Sequence, residues 1–411
     1  MPVLLDEDQK MQLPRMVKLR QNFEAGCIVD VEQAVRQELS QQKIYSLIEP
    51  GQSVAVAVGS RGINNVRQLV KTTIDFLNQR GAHPFIVPAM GSHGGATAEG
   101  QQEVLAGYGI TEETMGVAVK SSMNTEVIGC TDSGIPVHID KNALSADKVV
   151  LINRIKPHTG FRGPIESGIC KMIAIGLGKH AGCSRLHQEE RAVFSKVLTS
   201  VAEVFLDKGN FAFGLAVVEN AFDQTFLVRS LVKEELLEQE EELLVRAKSL
   251  LPALLLPKID VLLVEQVGKD ISGPGMDPNI IGRHSAFSEV AGYTGPAIER
   301  IIVLDLSAGT HGNATGIGTA DFITRNVLDK IDFTATYANQ IAARNPAGGR
   351  IPITLDTERE AVIAAIKCCR HIDQNGPCIV RIQDTLHLGE IWVSENMLPL
   401  LAGNTLLEVI D

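Results

Sequence analysis

The chain has 411 residues, of which 45% are hydrophobic and 21% charged, and its formal net charge at pH 7 is -11. The mean hydropathy of +0.09 is typical of a globular protein, which excludes a disordered or collagen-like chain. The length favours two domains, and the acidic balance argues against non-specific binding to nucleic acid or to an anionic membrane.

Residues 1–23 carry charges throughout and contain no continuous apolar region, so the sequence predicts no secretory signal and a cytoplasmic protein. No apolar run approaches the roughly 18 residues that a membrane-spanning helix needs. The seven cysteines are odd in number and include no C-x-x-C pair. Neither a disulfide framework nor a zinc ribbon is therefore indicated.

Short apolar segments alternate with helical patterns along the chain. A buried strand is expected at 54–58, followed by a helical stripe that ends near Gly81. Further strands are expected at 85–87, 148–152, 211–218, 259–267, 301–306 and 378–382, with long helices at 191–208 and 233–250. This alternation predicts an α/β fold of two domains with mainly parallel sheets and an active site in the cleft between them.

Pro252 and Pro257 follow the acidic helix at 233–250 and indicate a domain boundary near residue 255. We expect an N-terminal domain over 1–255, with 395–411 as a candidate segment to rejoin it. A C-terminal domain over 256–394 would close the cleft.

Two glycine-rich loops follow the first strands. Gly59-Ser60-Arg61-Gly62 stands between a strand and a helix start, where free backbone N–H groups favour an anion. The alternative interpretation is a plain strand-to-helix turn with an exposed arginine and no ligand. The loop 90–97 contains His93 between glycines, and its imidazole titrates near neutrality. This histidine is either a solvated loop residue or an acid/base group that a ligand can approach closely.

The segment 153–187 concentrates basic residues in an acidic protein, which favours an anionic ligand. They are Arg154, Lys156, His158, Arg162, Lys171, Lys179, His180 and His187. His180, Cys183 and His187 also share one face of a continuous helix, which is compatible with a metal site. The same spacing occurs in packed or solvated helices, so both interpretations stay open.

Two more loops follow the strands predicted in the second half of the chain, over 269–279 and 309–318. Open α/β sheets bind ligands at the carboxyl ends of their strands. We therefore expect both domains to point such loops at one cleft.

The ordered set Ser60-Arg61, Gly91-Ser92-His93, His158, Lys171 and His187 resembles the nickel-dependent lactate racemase family, and more closely its non-lactate branch. The resemblance covers most of the chain and is strongest over 50–190. It implies two α/β domains that enclose a nickel-pincer nucleotide, with a histidine completing a square-planar site that suits Ni(II). It also implies cofactor-assembly enzymes as partners.

By this resemblance His93 and His158 are the acid/base histidines, and His187 is the nickel ligand, with His180 as the alternative. The cofactor-binding residues it implies are Ser60, Arg61, Gly91, Ser92 and Lys171. Lys171 matches the lysine that can hold the nucleotide covalently. Arg61, with Lys269 or Arg283 from the second domain, matches groups that hold the substrate carboxylate.

Two departures from the family bear on these expectations. The interval from His158 to Lys171 is longer by what looks like three residues, so non-covalent binding of the nucleotide is open beside covalent attachment. The family's Tyr-Gln-x-x-Lys motif after Lys269-Asp270 is replaced by residues 273–278. We therefore expect a substrate other than lactate.

The resemblance implies racemisation or epimerisation of a 2-hydroxy acid. Imidazole cannot remove the hydrogen on the carbinol carbon as a proton, so transfer of a hydride to the cofactor is expected while one histidine takes the hydroxyl proton. The second histidine serves the other enantiomer. The alternatives are a metal-dependent hydrolase or lyase with zinc at His180, Cys183 and His187, and a non-catalytic nucleotide carrier.

Overall fold

The computed structural model describes residues 3–59, 62–286, 290, 292–370 and 372–410. The chain forms two compact units, one of residues 25–251 and the other of residues 1–24 with 252–411.

The strands of the described residues are numbered in chain order. They are β1 Met16–Gln21, β2 Ser53–Val58, β3 His83–Pro88, β4 Thr125–Cys130, β5 Pro136–Asp140, β6 Lys148–Arg154, β7 Phe211–Glu219, β8 Thr225–Val232, β9 Lys258–Val267, β10 Ala297–Leu306, β11 Phe322–Thr324, β12 Ile353–Leu355, β13 Ile379–Ile382, β14 Glu390–Ser394 and β15 Leu407–Val409.

The helices are numbered in the same way. They are α1 Asp6–Gln9, α2 Val31–Leu39, α3 Gln42–Tyr45, α4 Val66–Gln79, α5 Ala98–Gly107, α6 Glu112–Met115, α7 Lys141–Leu144, α8 Ile169–Lys171, α9 Lys179–Leu186, α10 Phe194–Lys208, α11 Leu236–Ser249, α12 Pro278–Ile281, α13 Arg325–Lys330, α14 Phe333–Ala342, α15 Glu358–Cys368 and α16 Leu398–Leu401. A π-helical segment, Met172–Leu177, joins α8 to α9. Within the described ranges, no helix is long and apolar enough to cross a membrane.

The unit of residues 25–251 is built on a five-stranded sheet in the order β3-β2-β6-β7-β8. The first four strands are parallel, and β8 returns antiparallel to β7. Alternate side chains of β2 enter two different apolar clusters, Ala55 and Ala57 on one face and Val54, Val56 and Val58 on the other. Helices cover both faces of such a sheet, which is why its strands read as unbroken apolar runs.

The carboxyl ends of three of these strands meet at one edge of the sheet. Val58, the last residue of β2, is opposite Pro88 of β3 and Ile152 of β6. The segments that carry the predicted site residues 91–93 and 154–171 begin at this edge, after β3 and at the end of β6. Neighbouring parallel strands therefore bring these segments together.

The other unit is built on an eight-stranded sheet in the order β12-β11-β10-β9-β13-β14-β1-β15. Its strands β9 to β13 are parallel, while β14, β1 and β15 are antiparallel. The α/β fold with mainly parallel sheets is confirmed in both units.

The observed division differs from the predicted boundaries at 1–255 and 256–394. Because β1 pairs with β14 and β15, residues 1–24 and the terminal segment 395–411 both belong to the C-terminal unit. The strands that pair with β1 lie more than 300 residues away in the sequence, so the local sequence pattern could not assign β1 to this sheet.

Candidate functional site

The loop that carries His93 is tightly built at the end of β3. Gly91, Gly94 and Gly95 all have positive φ, between 61° and 64°, which glycine adopts without strain. A Cβ at Gly94 would lie 2.5 Å from the backbone of Gly100, so the loop folds directly onto the start of α5. The Gly91 N–H donates to the Gly176 carbonyl at 3.1 Å, which ties the loop to the π-helical segment.

Ser92, the residue before His93, contacts α9, which ends directly before His187. The Ser92 hydroxyl lies 3.7 Å from Sγ of Cys183, and that sulfur lies 3.5 Å from Nδ1 of His187. Cys183 and His187 are four residues apart, so one helical turn places them side by side. The Gly91-Ser92-His93 loop and the predicted metal ligand therefore meet through Cys183.

A series of neighbouring rings leads from His187 to His158. The His187 ring stacks on Phe194 with centroids 5.9 Å apart, Phe194 contacts Phe161 at 5.0 Å, and Phe161 stacks on His158 at 4.2 Å. Phe161 and Phe194 are buried. The structure thus connects Ser92, His187 and His158 in one continuous line of contacts.

The orientation of His158 is fixed from two sides. The Gly160 backbone N–H donates to Nδ1 at 2.9 Å, so Nδ1 carries no proton and the neutral ring is protonated at Nε2. The backbone N–H of His158 donates to the carboxylate of Glu166 at 2.7 Å. Glu166 is buried and pairs with Lys248 at 2.7 Å.

Positive charge surrounds the His158 ring. Burial lowers its pKa well below the ordinary value, and four nearby cations add to the effect: Lys171, Lys156, Arg191 and Arg162. A Cβ at Gly160 would lie 2.9 Å from Nη1 of Arg191, which places this guanidinium over the glycine beside His158. The sequence analysis did not single out Arg191.

Arg154, Arg162 and Lys179, three of the basic residues in this segment, have acidic partners that the sequence did not reveal. The Arg162 guanidinium lies 3.7 Å from the carboxylate of buried Glu166. Arg154 forms an ion pair with buried Glu219. Lys179 is fully buried and pairs with buried Asp140 at 3.2 Å. The expectation that all eight basic residues serve an anionic ligand is therefore too broad. Lys156 and Lys171, which lie near His158, stay candidates for it.

Lys171 ends α8, directly before the π-helical segment, and its ammonium donates to the Ser167 hydroxyl at 3.2 Å. The start of α8 is held by Glu240 of α11, whose carboxylate accepts the Cys170 N–H at 3.0 Å. Glu240 is buried, and burial raises its pKa from 4.5 to about 7. The same burial raises the pKa of the Cys170 thiol.

This shift predicts a stability that falls with rising pH. Because the folded-state pKa is raised, the stability that neutral Glu240 contributes is complete below about pH 4.5 and is lost as the pH rises through about 7. A pKa shift corresponds to about 1.4 kcal/mol per unit. We therefore expect the free energy of unfolding of Glu240→Gln, relative to that of the parent, to increase by roughly 2 to 3 kcal/mol between pH 5 and pH 8. Urea unfolding at both pH values measures this difference, with the exposed neighbour Glu242→Gln as the control. Equal pH dependence in the parent and Glu240→Gln would contradict the assignment.

The remaining predicted residues fall in two groups. Ser60 and Arg61 lie outside the described residues. Lys269 and Arg283 lie in the other unit, where the Lys269 ammonium donates to Asn339. The Arg283 guanidinium binds Asp321 at 2.7 Å and the Glu299 carbonyl at 2.6 Å. These contacts give Arg283 a structural role between β10 and β11, and its role toward a substrate stays a prediction.

No group of three or more His, Cys, Asp or Glu side chains in the described part of the chain is arranged to hold a metal ion. His180 is exposed, and its Nε2 lies 3.4 Å from the Ser184 hydroxyl. The three-ligand zinc site at His180, Cys183 and His187 is therefore not formed.

Comparison with known proteins identifies a matching family model and similar solved structures. Residues 3–195 match the family model described as the lactate racemase N-terminal domain. The solved structure of the lactate racemase apoprotein from Thermoanaerobacterium thermosaccharolyticum is similar, with a TM-score of 0.55 and 17% sequence identity, and the match covers 90% of this chain and 99% of that one. The chain has the lactate racemase fold. No curated protein matches the sequence.

The matched range 3–195 includes the His93 loop, the His158 segment, Lys171 and His187. Several residues that build this part of the lactate racemase fold gave no sequence signal. They are the buried polar residues Gln101, Asp140 and Glu166. Their hydrogen-bond and ion-pair partners either lie far away in the sequence or become neighbours only when the loops fold.

Proposed function

We propose that the protein is a racemase or epimerase of a 2-hydroxy acid other than lactate, dependent on a nickel-pincer nucleotide. The observation that carries the proposal is the line of contacts joining Ser92, His187 and His158 at one edge of a parallel sheet. The match of residues 3–195 to the lactate racemase N-terminal domain supports it.

The described residues fit an anionic mononucleotide that brings its own metal. Four cations surround His158 and suit phosphate and carboxylate groups. His187 offers one imidazole, whose Nδ1 lies 3.5 Å from Sγ of Cys183, and it is assigned as the protein's ligand to the metal. A planar nucleotide that supplies the remaining ligands needs only this one protein donor. Lys171 lies near His158, and Ser92 lies beside Cys183, the neighbour of His187. Both are assigned to nucleotide binding.

When bound, the nucleotide supplies an acceptor for the hydride on the α-carbon of the substrate. The protein must hold the substrate and move the hydroxyl proton. In the neutral form fixed by Gly160, His158 presents an N–H at Nε2, which suits a hydrogen bond to the substrate oxygen. His93 is assigned as the base that takes the hydroxyl proton of one enantiomer. His158 is assigned to the opposite enantiomer, for which its ring must be the other neutral tautomer, with the proton on Nδ1, the Gly160 N–H contact released and Nε2 open to the hydroxyl proton.

The cations beside His158 are assigned to the charged end of the substrate and to the nucleotide phosphate. Arg191 is suited to the carboxylate because a guanidinium binds carboxylates with two parallel hydrogen bonds. Arg61, which lies outside the described residues, stays the other predicted carboxylate ligand.

The proposal is tested by producing the protein together with nickel-pincer assembly enzymes and offering it a panel of 2-hydroxy acids and sugar acids. Chiral chromatography is expected to show inversion at C2 of at least one acid, with lactate among the poor substrates. Stoichiometric nucleotide without inversion of any acid would favour the carrier alternative. Zinc with hydrolytic activity would favour the hydrolase alternative.

A further inference from the structure

The His93 loop rests on a buried polar network that no part of the proposed chemistry uses. Gln101 of α5 is fully buried, and its amide nitrogen donates to the Gly91 carbonyl at 2.9 Å and to the His93 carbonyl at 3.3 Å. One side chain therefore holds the loop on both sides of Ser92.

Gln101 is held in turn by Lys179. The Lys179 ammonium donates to the amide oxygen of Gln101 at 2.9 Å and to the Pro88 carbonyl at the end of β3. Its third contact is the ion pair with Asp140 at 3.2 Å. Two of the three N–H donors of the ammonium therefore have hydrogen-bond acceptors, and the contact with Asp140 is ionic.

The backbone at Lys179 is unusual. Lys179 has a φ of +52°, a conformation that residues with a Cβ seldom adopt. The residue is fully buried despite its charge. A strained backbone and a buried ammonium both cost free energy, and such positions are kept where the surrounding structure defines a functional geometry.

Burial opposes the charge on both members of the pair. It raises the pKa of Asp140 and lowers that of Lys179, and each charge favours the ionised form of the other. Asp140 also accepts the Ala143 N–H at 3.0 Å, which fixes its carboxylate at the start of α7. The ammonium thus has a rigid support on the side away from Gln101.

We propose that Gln101, supported by the buried Lys179–Asp140 pair, is the positioning residue that fixes the His93 loop for proton transfer. The inference rests on the proposed function, since it takes His93 as the base. It also reassigns Lys179 from the anion-binding set to the support of the loop. A loop with three glycines at positive φ has many accessible conformations, and these hydrogen bonds select one.

Two substitutions at Gln101 test this role without removing a buried charge. Gln101→Glu keeps the shape and an oxygen for Lys179 but removes the donor to the Gly91 and His93 carbonyls. Gln101→Leu removes both contacts. The exposed neighbour gives matched controls, Gln102→Glu and Gln102→Leu.

The first readout is backbone amide hydrogen exchange of residues 90–97, measured by mass spectrometry on the full chain without cofactor or substrate. We expect exchange in this segment to rise by about tenfold or more in both Gln101 variants and to match the parent in both controls. The second readout is the kcat and KM of the loaded enzyme. We expect kcat to fall by about tenfold or more with KM changed less than about threefold, because misplacement of His93 affects the proton transfer rather than binding.

Unchanged exchange at 90–97, or unchanged kcat, in both Gln101 variants would overturn the inference. If the parent inverts no 2-hydroxy acid, the proposed function fails, while faster exchange confined to the Gln101 variants still supports the role of Gln101 in holding the loop. The two failures are therefore distinguishable.

Discussion

Replacing either His93 or His158 with alanine is expected to lower kcat by about 10²–10⁴-fold, the contribution that acid/base catalysis typically makes. The cofactor should remain bound, because neither histidine is assigned as a metal ligand. His158 is held by Gly160 on its ring and by Glu166 on its backbone. The loss in this variant is therefore expected to be that of the imidazole alone.

The two directions of the reaction give an internal check on this measurement. Two enantiomers have an equilibrium constant of one, so a variant must lower kcat/KM equally in both directions. Chiral chromatography from each pure enantiomer measures both values. His83→Ala is the control, since His83 is exposed and begins β3 at the end opposite the loop. Full activity in His158→Ala, together with full cofactor content, would remove His158 from the proposed chemistry.

Replacing His187 with alanine is expected to reduce nickel in the purified protein to a small fraction of the parent content. His187 is the only protein donor assigned to the metal, and its ring is oriented by Cys183 and Phe194. Metal analysis by mass spectrometry measures the ratio of nickel to protein without reference to activity.

His180→Ala is the comparison that decides between the two candidate ligands. His180 is exposed and contacts Ser184, and we expect its variant to keep its nickel. Nickel retained in His187→Ala and lost in His180→Ala would reverse the assignment. Nickel retained in both variants would place the metal elsewhere.

The buried parallel strands could be predicted from the sequence because their signal is local. β2, β6, β7 and β9 each contain a continuous apolar run, and the structure places strands over each predicted segment. β1 pairs with β14 and β15, which lie at the far end of the chain. Nothing within residues 16–21 indicates that partner, so the division into units differed from the prediction.

The site could be predicted only as a set of segments. The loops after β3 and β6 were identified by their glycines and histidines. The role of each charged side chain in these loops could not be predicted, because it depends on which oppositely charged side chain lies next to it in the fold. Arg154 and Lys179 are neutralised by Glu219 and Asp140, which are 65 and 39 residues away in the sequence. The proton position on His158 depends on the backbone N–H of Gly160, which only coordinates reveal.

The most direct test of the central claim uses 2-hydroxy acids that carry deuterium at C2, incubated in ordinary water with the cofactor-loaded protein. Chiral chromatography with mass spectrometry then reports configuration and label together. A hydride that leaves and returns to the same carbon predicts an inverted product that retains its deuterium. An inverted product that has lost its deuterium, or no inversion of any acid by protein that contains nickel and nucleotide, would contradict the account.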